Sequence, residues 1–170
     1  MPMTLWIRSL AVLAGLAAAP ALAASGHHHG GATPAGEPGD PRKPSRVIEV
    51  IMDDRMYSPV TVDVVQGEQI RFVIRNAGGE AHEFLLATRE ANLKHAAVMK
   101  KHPDMEHDEP NGLRLAPKAN GEILWRFTKT GTFEYACLIP GHREDGMIGL
   151  VTVKPAPSAD HHAPKKESRK

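Results

Sequence analysis

The stretch Gln69-Ile-Arg-Phe-Val-Ile-Arg75 alternates with a period of two, apolar at Ile70, Phe72 and Ile74. That period belongs to a strand with one buried face. Turn signals bracket the run, Gln66-Gly67-Glu68 before it and Asn76-Ala-Gly-Gly79 after it. The same pattern of short β-branched or aromatic runs between turns recurs at 47–51, 60–65, 82–86, 122–127, 132–137 and 148–153. Seven such runs exclude a helical bundle and predict an all-β fold, a Greek-key sandwich or barrel of two sheets. The roughly 110 residues from 46 to 155 suit one domain with one core.

One segment interrupts the pattern. Residues 89–101 are good helix formers with Leu93, Ala96, Ala97 and Val98 on one side, and His102-Pro103 ends the run. An acidic, irregular stretch follows as far as Gly112. We read 88–118 as a helix-plus-loop insertion in the β-domain.

The ends of the chain read differently. Arg8, the apolar run 10–22 and Ala21-Leu-Ala23 form a secretory signal peptide over 1–23. The run is too short and too rich in small residues for a good membrane span, and no later segment could cross a bilayer. The expected location is the periplasm. Residues 24–45 read as a disordered linker and 156–170 as a disordered basic tail, because neither has an apolar period. Within the linker, His27, His28 and His29 are either passive or a weak metal-collecting tract.

Charge bears on the partners. The chain has 21 Lys+Arg against 20 Asp+Glu, and loss of Arg8 with the signal leaves 20 of each. A neutral chain has no field to collect phosphates, which argues against nucleic acid. The lone cysteine, Cys137, cannot form an internal disulfide. In an exported chain it is an idle buried thiol, an intermolecular bridge or a metal ligand.

Its neighbours favour ligation. In Cys137-Leu-Ile-Pro-Gly-His142-Arg-Glu-Asp-Gly-Met147 a thiol, an imidazole and a thioether follow one another at five-residue steps. With one more histidine, for which His82 is the natural candidate, they make the two-imidazole, one-thiolate set with a distant axial thioether that suits copper electron transfer. Cu(II) favours imidazole and Cu(I) favours soft sulfur, so a rigid compromise between them lets an electron come and go with little rearrangement.

These residues carry a resemblance. Tyr57-Ser-Pro59, Val65-Gln-Gly67, Asn76-Ala-Gly78 ahead of His82, and Gly131-Thr-Phe-Glu-Tyr-Ala-Cys137 through Met147 resemble the cupredoxins, small type 1 copper proteins of the plastocyanin and azurin kind. The resemblance implies one type 1 copper, with His82, Cys137 and His142 equatorial and Met147 axial. His82-Glu-Phe84 and the inserted His102-Pro-Asp-Met105-Glu-His107 resemble, more narrowly, periplasmic cupredoxins linked to copper resistance. Many electron carriers of the family have Asn after the first ligand histidine, where its side chain ties the ligand loops together. Glu83 stands there in this chain.

The insertion raises a second question. His95 and Met99 are four apart and share a helix face, and His102, Met105 and His107 follow closely. They make either a second copper site or an exposed polar loop. The expected function is copper tolerance or homeostasis, with copper passed on to, or electrons exchanged with, an unidentified periplasmic partner protein. The alternative is a soluble electron carrier between respiratory partners. A copper enzyme would need further histidines, commonly His-x-His, and the chain has none; we expect no enzyme.

Overall fold

The computed structural model describes residues 32–102 and 109–157. The expected signal peptide, His27, His28, His29, Met105, His107 and most of the C-terminal tail lie outside the described residues. Within them the elements run β1 (Glu37–Pro38), β2 (Arg46–Asp53), β3 (Met56–Ser58), β4 (Thr61–Val65), β5 (Gln69–Asn76), β6 (His82–Ala87), α1 (Arg89–Lys101), β7 (Gly112–Leu115), β8 (Asn120–Arg126), β9 (Gly131–Ala136) and β10 (Ile148–Lys154). All seven expected strands are present.

The strands form two five-stranded mixed sheets, ordered β1-β8-β5-β2-β3 and β4-β10-β9-β6-β7. Pairing is parallel between β2 and β5 and between β10 and β4, and antiparallel elsewhere. The period-two faces turn inward as written in the sequence: Ile70, Phe72 and Ile74 of β5 are fully buried, and so is Asn76, the next residue in the series. Phe84 of β6 stacks on Tyr135 of β9 with centroids 5.0 Å apart, and Phe72 meets Phe84 from the opposite sheet at 5.4 Å. Burying a side chain of that size contributes about 1.5–3 kcal/mol. This aromatic layer is the floor on which the site stands.

Three expectations need correction. Residues 32–45 are not loose linker where the structure describes them. Ala35 is fully buried, the Trp125 indole N–H donates to its carbonyl at 3.2 Å, and β1 pairs with β8. The segment escaped notice because Gly, Ala and Pro pack by backbone and small groups, without an apolar period.

The insertion is also less of an excursion than expected. Its last part, β7, is an edge strand paired with β6 from His82 to Leu85.

The helix is placed correctly but buries another side. Thr88 caps it, its hydroxyl accepting from the Ala91 N–H at 3.2 Å. Leu93 and Val98 are exposed, whereas Asn92 and Met99 are buried and Ala96 packs on Leu85, Ala136 and Leu138. Positions 92, 96 and 99 share a helix face, and a polar residue on it hid the pattern. Asn92 faces inward because its amide donates to both the carbonyl and the carboxylate of buried Glu134 on β9.

Candidate metal centre

Sheet pairing brings the site together. Antiparallel β6 and β9 align Leu85 with Ala136, so the start of β6 and the residue after β9 lie at the same end of the sheet. His82 opens β6, and Cys137 follows β9. The chain then loops back into β10 through a nest of backbone bonds. The His142 N–H donates to the Ile139 carbonyl at 3.0 Å, Met147 N–H to His142 at 3.0 Å, and Cys137 N–H to Met147 at 3.2 Å. Gly141 at φ +90° and Gly146 at φ +103° take the positive-φ positions that this tight path needs. Met147 is thus tied through its backbone to both His142 and Cys137, and it is fully buried in the same core as the thiol.

One donor atom each from His82, Cys137 and His142 lies within 4.8 Å of the others. The two Nδ1 atoms are 3.3 Å apart, and the Cys137 sulfur is 3.4 Å from His142 Nδ1. The outer nitrogens explain what the inner ones offer. His82 Nε2 lies 3.2 Å from Asp54 Oδ1, and His142 Nε2 lies 3.5 Å from Glu80 Oε2. A carboxylate can only accept, so the hydrogen bond to Asp54 places the His82 ring proton on Nε2 and leaves Nδ1 a lone pair; the longer electrostatic contact with Glu80 favours the same tautomer for His142. Two lone pairs and a sulfur then face one another in a buried space, an arrangement that a cation resolves.

The surroundings set the protonation of these groups. Burial pushes the Cys137 thiol up to about 11, so it becomes a thiolate when a metal displaces its proton. Burial, aided by Arg55 and His82, holds His142 below the usual histidine value and keeps its ring neutral. The hydrogen bond from His82, with backbone donors from Gly79 and Glu80, lowers Asp54 below the ordinary carboxylate range. Two imidazoles and a thiol that ionises on binding are a copper-like donor set.

Glu83 takes over the tying role expected of Asn. Its carboxylate accepts from the Leu138 N–H at 3.3 Å, and its own N–H donates to the Cys137 sulfur at 3.4 Å. The strand bearing His82 is thereby bonded to the loop bearing Cys137. On the other side of that loop, Arg143 is held by buried Glu134 at 3.0 Å. Beneath it, the Tyr57 hydroxyl donates to the Glu83 carbonyl.

The structure brings together His82, Cys137, His142 and the loop that carries Met147. Of the residues considered for a second site, Met105 and His107 lie outside the described residues. Among the described residues no other group of three His, Cys, Asp or Glu converges in this way. His95 lies 3.6 Å from Glu109, Met99 is buried, and His102 caps the helix C-terminus. Sequence reasoning missed Asp54 and Glu80, the carboxylates on the two rings. Both sit in loops with no periodic signal, and only the Gly78-Gly79 pair hinted at a close approach there.

A cupredoxin-like domain model matches residues 12–148, and the chain belongs to the cupredoxin family. It is 46% identical over 157 residues to the copper-resistant cuproprotein CopI of Rubrivivax gelatinosus, covering 86% of this chain and 95% of that protein. It is 33% identical over 149 residues to the protein of the same name from Pseudomonas aeruginosa, covering 71% and 82%. Among solved structures, auracyanin B superposes with a TM-score of 0.59 at 23% identity over 71% of this chain and 97% of that one, a likeness of fold. The cofactor is copper, and the buried donors fit it.

Proposed function

We propose that the chain is an exported type 1 copper protein of periplasmic copper tolerance. His82 Nδ1, Cys137 Sγ and His142 Nδ1 would hold the copper, and the Met147 thioether would be its fourth, weaker ligand. When bound, copper supplies a one-electron couple between Cu(II) and Cu(I). The chain's own residues do the rest: Asp54 and Glu80 orient the rings, Glu83 locks the two ligand segments together, and the aromatic floor keeps water out. His142, 5% exposed beneath the Glu80 carboxylate, is the less enclosed of the two rings, His82 being fully buried, and is where a partner would exchange electrons or copper.

The observation that carries this reading is the convergence of three buried donors within 4.8 Å. The name shared by the CopI relatives supports copper tolerance, and the signal-like residues 1–23 support export.

Protein loaded with Cu(II) is expected to show intense thiolate-to-copper absorption in the visible, and Cys137→Ser is expected to abolish it. A colourless, copper-loaded wild type would overturn the ligand assignment. Copper retained by Cys137→Ser without the visible band would be held either by the two remaining imidazoles, His82 and His142, or by the other candidates, His95, Met99, His102, Met105 and His107 or the His27–His29 tract. Copper sensitivity unchanged by deletion of the gene would overturn the role in tolerance and leave the electron carrier.

A further inference from the structure

Asp54 belongs to the tight connection between β2 and β3, in the sheet opposite the one that carries His82. Its Oδ1 nevertheless reaches the buried His82 ring at 3.2 Å and also accepts the Gly79 N–H at 3.0 Å. The approach is built into the neighbouring turn. A Cβ on Gly78 would lie 2.3 Å from Asp54 Oδ1 and 2.9 Å from His82 Nε2, so no side chain fits at that position. The turn is held in turn by Asn76, which accepts from the Gly78 N–H at 3.0 Å and donates to the Glu80 carbonyl at 2.8 Å. Arg55, next in sequence, directs its guanidinium to Glu80 and Asp145. The Asp54 charge therefore faces the imidazole without a competing arginine.

A turn cap alone would not need a carboxylate, since any acceptor could take the Gly79 N–H. What the charge adds is on the ring. We propose that Asp54 is a positioning residue of the copper centre. It holds the His82 proton on Nε2, turns the Nδ1 lone pair inward, and makes that nitrogen a stronger donor, which favours Cu(II) over Cu(I). Gly78 is the space that admits it. The proposal rests on His82 being a copper ligand.

Asp54→Asn separates charge from shape, because its amide oxygen can still accept from both Gly79 and His82. Cu(II) affinity should fall by about ten- to hundredfold, with a smaller loss for Cu(I), while the visible band persists. Each tenfold difference between the two losses raises the potential by about 59 mV for a one-electron couple. Asp54→Ala removes the acceptor as well, and Gly78→Ala displaces it. In metal-free protein, nitrogen NMR should find His82 protonated at Nε2 in the wild type and as a tautomer mixture in these two variants. A coloured Asp54→Asn protein with an unshifted potential would overturn the proposal alone, as would a metal-free wild type protonated at Nδ1. A wild type lacking the band would overturn the ligand reading and the proposal with it.

Discussion

Strand β5 has a buried side-chain amide at each end, and the two ends have different fates. At one, Gln69 accepts from the Asp40 N–H at 2.7 Å and donates to the carbonyls of Asp40 and Lys43 at 3.0 and 3.2 Å. It pins the N-terminal strap across the sheet. At the other, Asn76 donates to the carbonyls of Glu80, Leu115 and Ala116 at 2.8 to 3.1 Å and accepts from Gly78. It pins the turn over the metal centre. The stitching is the same in kind, but the charges beside it are not. Near Gln69 they close on one another, Arg46 with Glu68 and Arg126 with Glu37. Near Asn76, Asp54 is directed at His82, and Glu80, besides its 3.9 Å contact with Arg55, at His142, and the inner nitrogens of the two rings face each other. Polar burial by itself does not mark a site; lone pairs left facing one another do.

Truncating both amides tests this contrast most strongly. Asn76→Ala removes the side-chain donor of the Glu80 and Leu115 carbonyls and the acceptor of the Gly78 N–H, whereas the Ala116 carbonyl keeps the Ala119 N–H; Gln69→Ala does the same to the Lys43 carbonyl and the Asp40 N–H, whereas the Asp40 carbonyl keeps the Lys43 N–H. At about 1–3 kcal/mol for each fully buried orphan, and less for those near water, we expect losses of about 3 and 2 kcal/mol respectively. Urea denaturation of the metal-free protein measures both. Only Asn76→Ala should also weaken copper binding and alter the visible spectrum. A spectrum disturbed equally by Gln69→Ala would break the contrast.

The same contrast explains what could be read from the sequence. Strands that bury alternate side chains declare themselves, and the period-two series through Ile70, Phe72 and Ile74 even points Asn76 inward. The spacing of Cys137, His142 and Met147 is local, so the loop was visible as chemistry before any fold was known. The carboxylates on the rings were not visible. Asp54 is 28 residues from His82 in sequence, and nothing near it in the chain names its partner. The strap was hidden for a different reason: its contacts run through backbone atoms, Ala35 and two glycines. Strand β7 is only four residues long and follows an irregular stretch.

The strap gives the next test. Gly36 sits at φ +139°, and a Cβ there would lie 2.1 Å from the Arg126 carbonyl and 2.7 Å from the Trp125 ring nitrogen. Gly36→Ala should cost about 2 kcal/mol, the middle of the range for a strained backbone position. Trp125 is the one tryptophan after residue 23, so its fluorescence should shift to the red as the strap lifts. The copper spectrum should not change. A variant with native fluorescence and stability would restore the reading of 32–45 as passive linker.

The smallest effect is expected at the Arg46–Glu68 pair, and there pH separates charge from shape. Arg46 Nε lies 2.6 Å from Glu68 Oε1, and Glu68 Oε2 accepts the Val65 N–H at 2.9 Å. The arginine hydrogen bond, outweighing the opposing effect of partial burial and helped by the Val65 N–H, holds this carboxyl below its ordinary value. A pKa lowered by folding contributes stability that is present above the unfolded value and disappears as pH falls through the folded one. Both groups are partly exposed, so solvent screening limits the pair to about 0.2–1 kcal/mol. Glu68→Gln should therefore be less stable than the wild type by about 0.5 kcal/mol at neutral pH. The gap should close below the carboxylate range and narrow in high salt, with copper binding unchanged throughout. A gap that persisted at acid pH would rule out the ion pair as its source, since protonation of the carboxylate abolishes the pair.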